Sequence, residues 1–204
     1  YSVTGGPGKT VSPAARTERA TPAELLHVNS VYVAPVYFSG KVKDHAALTE
    51  ILSDVVLRNA KKHLDFDVLE PEEAQLPYRG TSALSEEQHE RVIAEGVGSD
   101  AMLLTEVQQY RKRIGTNVAA EQSARVAFTM RLVQVEKSKT VWRASYVFED
   151  KALSDNLLRL GERVNEVNKQ GRRGWWSAQE LFNRGAGELT MKLASERTAL
   201  FSKR

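Results

Sequence analysis

Four histidines are the first residues to weigh, because imidazole binds metal ions and moves protons near neutral pH. His27, His45, His63 and His89 lie on or beside helical segments, and no two of them stand four apart. His89-Glu90 begins like the His-Glu-x-x-His helix of zinc hydrolases, but position 93 is Ile, and one ligand builds no site. Glu86 and His89 have the i, i+3 spacing used in di-iron bundles, without the second copy such a centre needs. These residues read as solvated helix surface. The chain has no Cys, which excludes a disulfide framework, a thiolate metal site and a cysteine nucleophile. Gly80-Thr81-Ser82-Ala83-Leu84 lacks the second Gly of a nucleophile elbow and follows no convincing strand. Glu70, Glu72 and Glu73 surround Pro71 after a strand end and read as an exposed loop. Gly5-Gly6-Pro7-Gly8-Lys9-Thr10 ends like a phosphate-binding loop, yet Val3 stands where its first Gly belongs and no strand precedes it. No catalytic, metal-ligating or cofactor-binding residue is therefore assigned, and no cofactor is expected. A small α+β enzyme whose carboxylates are assembled from distant elements stays open as an alternative.

The most distinctive residues for contact chemistry are Arg172, Arg173, Trp175 and Trp176. Indoles favour lipid headgroups and arginines attract anions, so this turn is the candidate contact surface. Packing offers another explanation for one of them. Ser177 and Glu180 have the spacing of a capping box, which puts Trp176 before the cap and Leu181 at the fourth helical position, as in a hydrophobic staple. Trp175 is left between packing and contact. The net charge is +3, but residues 1–150 are slightly acidic and residues 151–204 are basic. Those basic residues are spread along helices, and only Arg172-Arg173 and Lys203-Arg204 are adjacent. An ordinary solvated face and an anion- or polysaccharide-binding patch are both open. A nucleic-acid module is not expected, because the basic residues are not interleaved with strand aromatics.

The elements that would position these residues follow from periodicity. Residues 1–20 are rich in Gly, Ser, Thr and Pro with little to bury, and are expected to be a flexible N-terminal tether. Residues 21–204 then form one domain. Thr21-Pro22-Ala23-Glu24 starts a short helix over about 22–27. SVYVAPVYF (30–38) reads as a buried strand. Leu48, Ile51, Leu52 and Val55 recur at helical spacing over 45–63. FDVLE (66–70) is a short strand, Ser85 and Gln88 box a helix stopped by Gly96, and 101–110 is a strand. In 124–136, Val126, Phe128, Met130 and Leu132 share one face, with Val133 and Val135 on the other. Residues 137–139 turn the chain into the strand 140–149, making a long hairpin. Residues 153–168 and 177–201 are helical, the latter with Ala178, Phe182, Gly185, Leu189, Leu193 and Leu200 in a 3.6-residue row. The fold class is α+β with an α/β-like start: a single mixed sheet with a long C-terminal hairpin, helices packed on it, and a closing C-terminal helix. Apolar runs are far shorter than the ~20 residues of a membrane-spanning helix.

Order and spacing carry a resemblance. Val31, Val33 and Pro35 give V-x-V-x-P; Phe66 and Val68 give F-x-V; Gly96, Asp100, Leu103 and Val107 give G-x-x-x-D-x-x-L-x-x-x-V. The hairpin through Leu132 and Trp142 closes the pattern. Over about residues 30–150 the chain resembles the cell-envelope lipoproteins related to the curli secretion lipoprotein CsgG, the penicillin-binding-protein activator LpoB and the N-terminal domain of TolB. The resemblance implies a non-enzymatic domain on the periplasmic side of the outer membrane, held by a lipidated Cys upstream of Tyr1. It also implies protein partners in envelope assembly, secretion or export, or self-association, with no nucleic acid. The lack of Cys and of Met at Tyr1 fits a chain cut just after such an anchor. The paired lipid-facing strands of the channel-forming relatives are not found, so a pore of its own is not expected.

Overall fold

The structure is a computed structural model that describes residues 16–20, 22–39, 45–69, 86–115, 120–149 and 176–202. It has the architecture expected: a mixed sheet with helices on it and a long closing helix.

The sheet is built around β5 (Ala101–Arg111) and β8 (Arg125–Gln134), which pair antiparallel along their whole length. A turn at 135–138, with Ser138 at φ 50°, returns β8 into β9 (Lys139–Glu149). On the other side β2 (Ser30–Val33) pairs parallel with both β5 and β4 (Asp67–Leu69). The crossover from β2 to β4 runs through α2 (His45–His63), which is the α/β-like start. The strand expected over 30–38 is cut in two. Pro35 offers no amide to the ladder, and the chain rejoins β5 only at β3 (Tyr37–Phe38). The amide of Val36 donates instead to Ser53 Oγ on α2, at 2.8 Å.

Residues 1–20 are not all tether. Arg16–Ala20 forms β1, the edge strand beside β9, giving the order β1-β9-β8-β5-β2-β4. Composition concealed it because edge pairing runs through main-chain groups and polar side chains suit an edge. Residues 1–15 lie outside the described residues, as does the helix expected over 153–168. The first helix is shorter than expected, with α1 at Pro22–Leu25.

Two cores flank the sheet. On one face, α2 and the last helix, α4 (Ala178–Phe201), pack over Val31, Leu103, Phe128, Met130, Leu132 and Trp142. On the other, α3 (Glu86–Gly96) sets Ile93 and Ala94 against Tyr32, Met102, Leu104, Val133 and Val135. The switch of apolar face along β8 is thus real. Polar bonds help hold α3: Tyr32 Oη donates to Glu90 at 2.8 Å, and Arg131 donates to Glu87 at 2.9 Å and to Tyr37 Oη at 3.1 Å. Burial raises the Tyr37 hydroxyl's pKa, partly offset by its bond to Arg131. The turn after α3 reaches the left-handed region at Gly98 (φ 71°), two residues beyond the expected stop at Gly96.

Arg197 closes the main core at its far end. It is 5% exposed, donates to the Val28 carbonyl at 2.7 Å, pairs with Asp65 at 2.8 Å and lies 4.4 Å from the centroid of Phe66. No helix among the described residues is long and apolar enough to cross a membrane.

Candidate contact surface

The four residues that stood out for contact are only partly placed. Arg172, Arg173 and Trp175 lie outside the described residues. Trp176 is described, half-buried and packed on the main core immediately before α4. Ser177 caps that helix: its Oγ accepts from the Glu180 amide at 3.2 Å, and the Glu180 carboxylate accepts from the Ser177 amide at 2.8 Å. Leu181 is fully buried in the same core. This is the arrangement of a staple, but Trp176 is not a fully enclosed side chain. The Arg184 guanidinium lies 5.6 Å from its ring centroid, and Arg184 also pairs with Glu188 at 2.9 Å.

Strand register fixes where this corner sits. Phe182 packs at a tilt against Phe128 with 4.6 Å between centroids, and Trp142 Nε1 donates to Glu196 at 2.9 Å. α4 therefore starts at the sheet end where β5 finishes, β8 begins and β9 finishes. Arg111, Arg125 and Glu149 mark that end by pairing across the three strands.

A polar knot holds the base of this end. Glu149 accepts from Arg111 at 2.6 Å, from Ser123 Oγ at 3.1 Å and from Arg125 at 3.4 Å. Burial raises the Glu149 pKa, but the bonds from Arg111 and Ser123 and the two guanidinium charges outweigh it and hold the carboxyl below its ordinary value. Beyond the knot the hairpin continues as a separate two-stranded ribbon, β6 (Ile114–Gly115) with β7 (Ala120–Gln122). Lys112 is exposed, Arg113 is half-buried, and Ile114 is 54% exposed. Sequence reasoning missed this ribbon. Its signal was the run Arg111-Lys112-Arg113-Ile114, hidden because the first 150 residues are acidic in total.

The motif residues have structural work. Asp100 accepts from the amides of Asn29 and Ser30 at 2.8 and 3.1 Å, and Ser30 Oγ accepts from the Asp100 amide at 2.9 Å. This clamp sets the start of β2 beside the start of β5. Leu103 and Val107 are fully buried. Among the histidines, His27 is exposed and His63 half-buried. His89 is also half-buried, with Nε2 shielded from solvent, so it is less solvated than expected. Glu70, Glu72, Glu73, Gly80–Leu84 and the Gly5–Thr10 run lie outside the described residues, as do the side chains of His45 and Glu86. Among the described residues no group of three or more His, Asp or Glu side chains is placed to hold a metal ion.

No protein-family model matches the chain, and no curated protein matches it. Solved structures do. The PelC dodecamer from Paraburkholderia phytofirmans superposes with a TM-score of 0.54 at 12% identity, covering 90% of this chain and 98% of that one. Lipoprotein GNA1162 from Neisseria meningitidis matches with a TM-score of 0.42 at 20% identity, over 70% of this chain and 96% of that one. The C-terminal domain of LpoB from Escherichia coli gives 0.39 at 17%, over 59% and 82%. The likeness to PelC shows that the two chains share a fold; the looser pair adds no argument. The CsgG and TolB parts of the resemblance rest on the sequence motifs alone.

Proposed function

We propose that this chain is the globular domain of a non-enzymatic bacterial lipoprotein on the periplasmic side of the outer membrane. It acts through protein contacts, including self-association, in envelope assembly, secretion or export. The lipid anchor stands upstream of Tyr1. The observation that carries the reading is the fold shared with PelC over nearly the whole of both chains, since the PelC copies form a dodecamer. The sequence motifs point to the same kind of protein. The motif's Asp100, Leu103 and Val107 brace the fold.

The experiment is light scattering on the purified chain, paired with cross-linked recovery from envelope extract. A defined multimer, or a reproducible envelope protein partner, is expected. A strict monomer at high concentration that recovers no envelope protein would contradict the proposal.

A further inference from the structure

We propose that the β6–β7 end of the domain docks on an anionic lipid bilayer, with Ile114 entering the interfacial layer and Lys112 beside the headgroups. This rests on the membrane-side reading above and says which end of the molecule faces the membrane.

Three observations place it there. The first is chemical. Ile114 is the most exposed large apolar side chain among the described residues, and it follows directly on Arg111-Lys112-Arg113. Residues 110–125 carry four basic residues against Glu121, a surplus equal to the formal net charge of the whole chain. Arg111 and Arg125 share one carboxylate, Glu149, so the knot itself keeps a positive excess. A basic collar around an apolar tip complements an anionic interface.

The second is architectural. The ribbon stands off the main sheet as two short strands, and a two-stranded hairpin gains little from its own contacts in water. A tip that needed burial within its own chain would not leave Ile114 half in solvent.

The third is the direction of the chain. β1 runs antiparallel to β9, with Arg16 opposite Ser145 and Ala20 opposite Trp142. Arg16 is therefore the end of β1 nearer to Glu149. Trp176 and the start of α4 are also at that end.

The test is co-sedimentation of the purified, unlipidated chain with vesicles of phosphatidylcholine containing 30% phosphatidylglycerol, and with pure phosphatidylcholine. Because no anchor is present, the result is independent of whether the gene product is lipidated. Binding to the anionic vesicles only is expected. Lys112→Ala should weaken it about five-fold, as one charge near an anionic surface is worth roughly a factor of five. Ile114→Ser should weaken it several-fold at an unchanged melting temperature. Absence of binding to the anionic vesicles overturns the inference, and so does binding that both variants retain in full. If Ile114→Ser instead dissolves a multimer while vesicle binding persists, the ribbon is an interface between copies and the inference fails. A cytosolic, unlipidated gene product would remove the reading it rests on without touching the vesicle result.

Discussion

Gly185→Ala is the sharpest test of how α4 seats on the sheet. A Cβ at Gly185 would lie 2.5 and 2.6 Å from Cδ1 and Cε1 of Tyr146 and 2.8 Å from Cζ of Phe128. Ordinary contact begins near 3.4 Å, so the overlap approaches 1 Å. The obstacles are ring edges, and neither ring can step aside. Both are fully buried, they lie 5.4 Å apart between centroids, and Phe128 is packed against Phe182 as well. Two effects compete. Ala is favoured over Gly within a helix by ~1 kcal/mol, while overpacking a tight core costs ~1–3 kcal/mol or more. With rigid rings on the far side the steric cost falls at the upper end, about 2–3 kcal/mol, leaving a net loss of about 1–2 kcal/mol. For a chain of this size that lowers Tm by roughly 2–8 °C. Circular dichroism melts and urea midpoints on the variant and the parent would read it. Gly96→Ala is the internal control: nothing lies within 4 Å of a Cβ there, and its Tm should hold or rise. A Gly185→Ala protein as stable as the parent would refute the close seating of α4.

Other outcomes follow from the same contacts. Arg197→Met should cost about 1–3 kcal/mol, since the Val28 carbonyl loses its donor while Asp65, half-exposed, is rehydrated; urea denaturation reads it. Because the Glu149 pKa is lowered in the folded chain, its contribution is complete above the ordinary carboxylate pKa of ~4.3 and is lost as pH falls below it. The protection factors of the amides at 111 and 122–125, corrected for the slower intrinsic exchange in acid, should therefore fall on acidification, and Glu149→Gln should flatten that fall. Burial and the Glu188 carboxylate push the Tyr146 hydroxyl up to about 12, against a smaller opposing effect of Arg184. The unfolded chain loses that proton first, so stability should fall as pH climbs from the ordinary tyrosine value of ~10 toward 12. Trp176→Ala should cost roughly 1–3 kcal/mol, below a full core deletion because the ring is only half-buried; Arg172, Arg173 and Trp175 changed together should leave Tm nearly unmoved while partner recovery falls.

Sequence periodicity located the elements with strong one-sided burial. His45–His63 stands where Leu48, Leu52 and Val55 put it, and the face switch at Leu132–Val133 follows from alternation alone. Elements stabilised by other means were harder to read. β1 owes its place to main-chain pairing, which leaves no mark in RTERA, and Pro35 split a strand whose apolar pattern runs on unbroken. Of the candidate contact surface, one corner was legible. Capping chemistry revealed the Trp176 corner, because Ser177 and Glu180 have fixed spacing. The ribbon was overlooked because it depends on Arg111, Ser123, Arg125 and Glu149 meeting across three strands, a contact that neither spacing nor net charge announces.

The proposed lipid anchor is tested by the intact mass of the gene product isolated from cell envelopes, with membrane fractions separated by density. A mature chain whose N-terminal Cys carries diacylglycerol, recovered with the outer membrane and in the detergent phase, is expected. An unmodified chain recovered from the cytosol would contradict it.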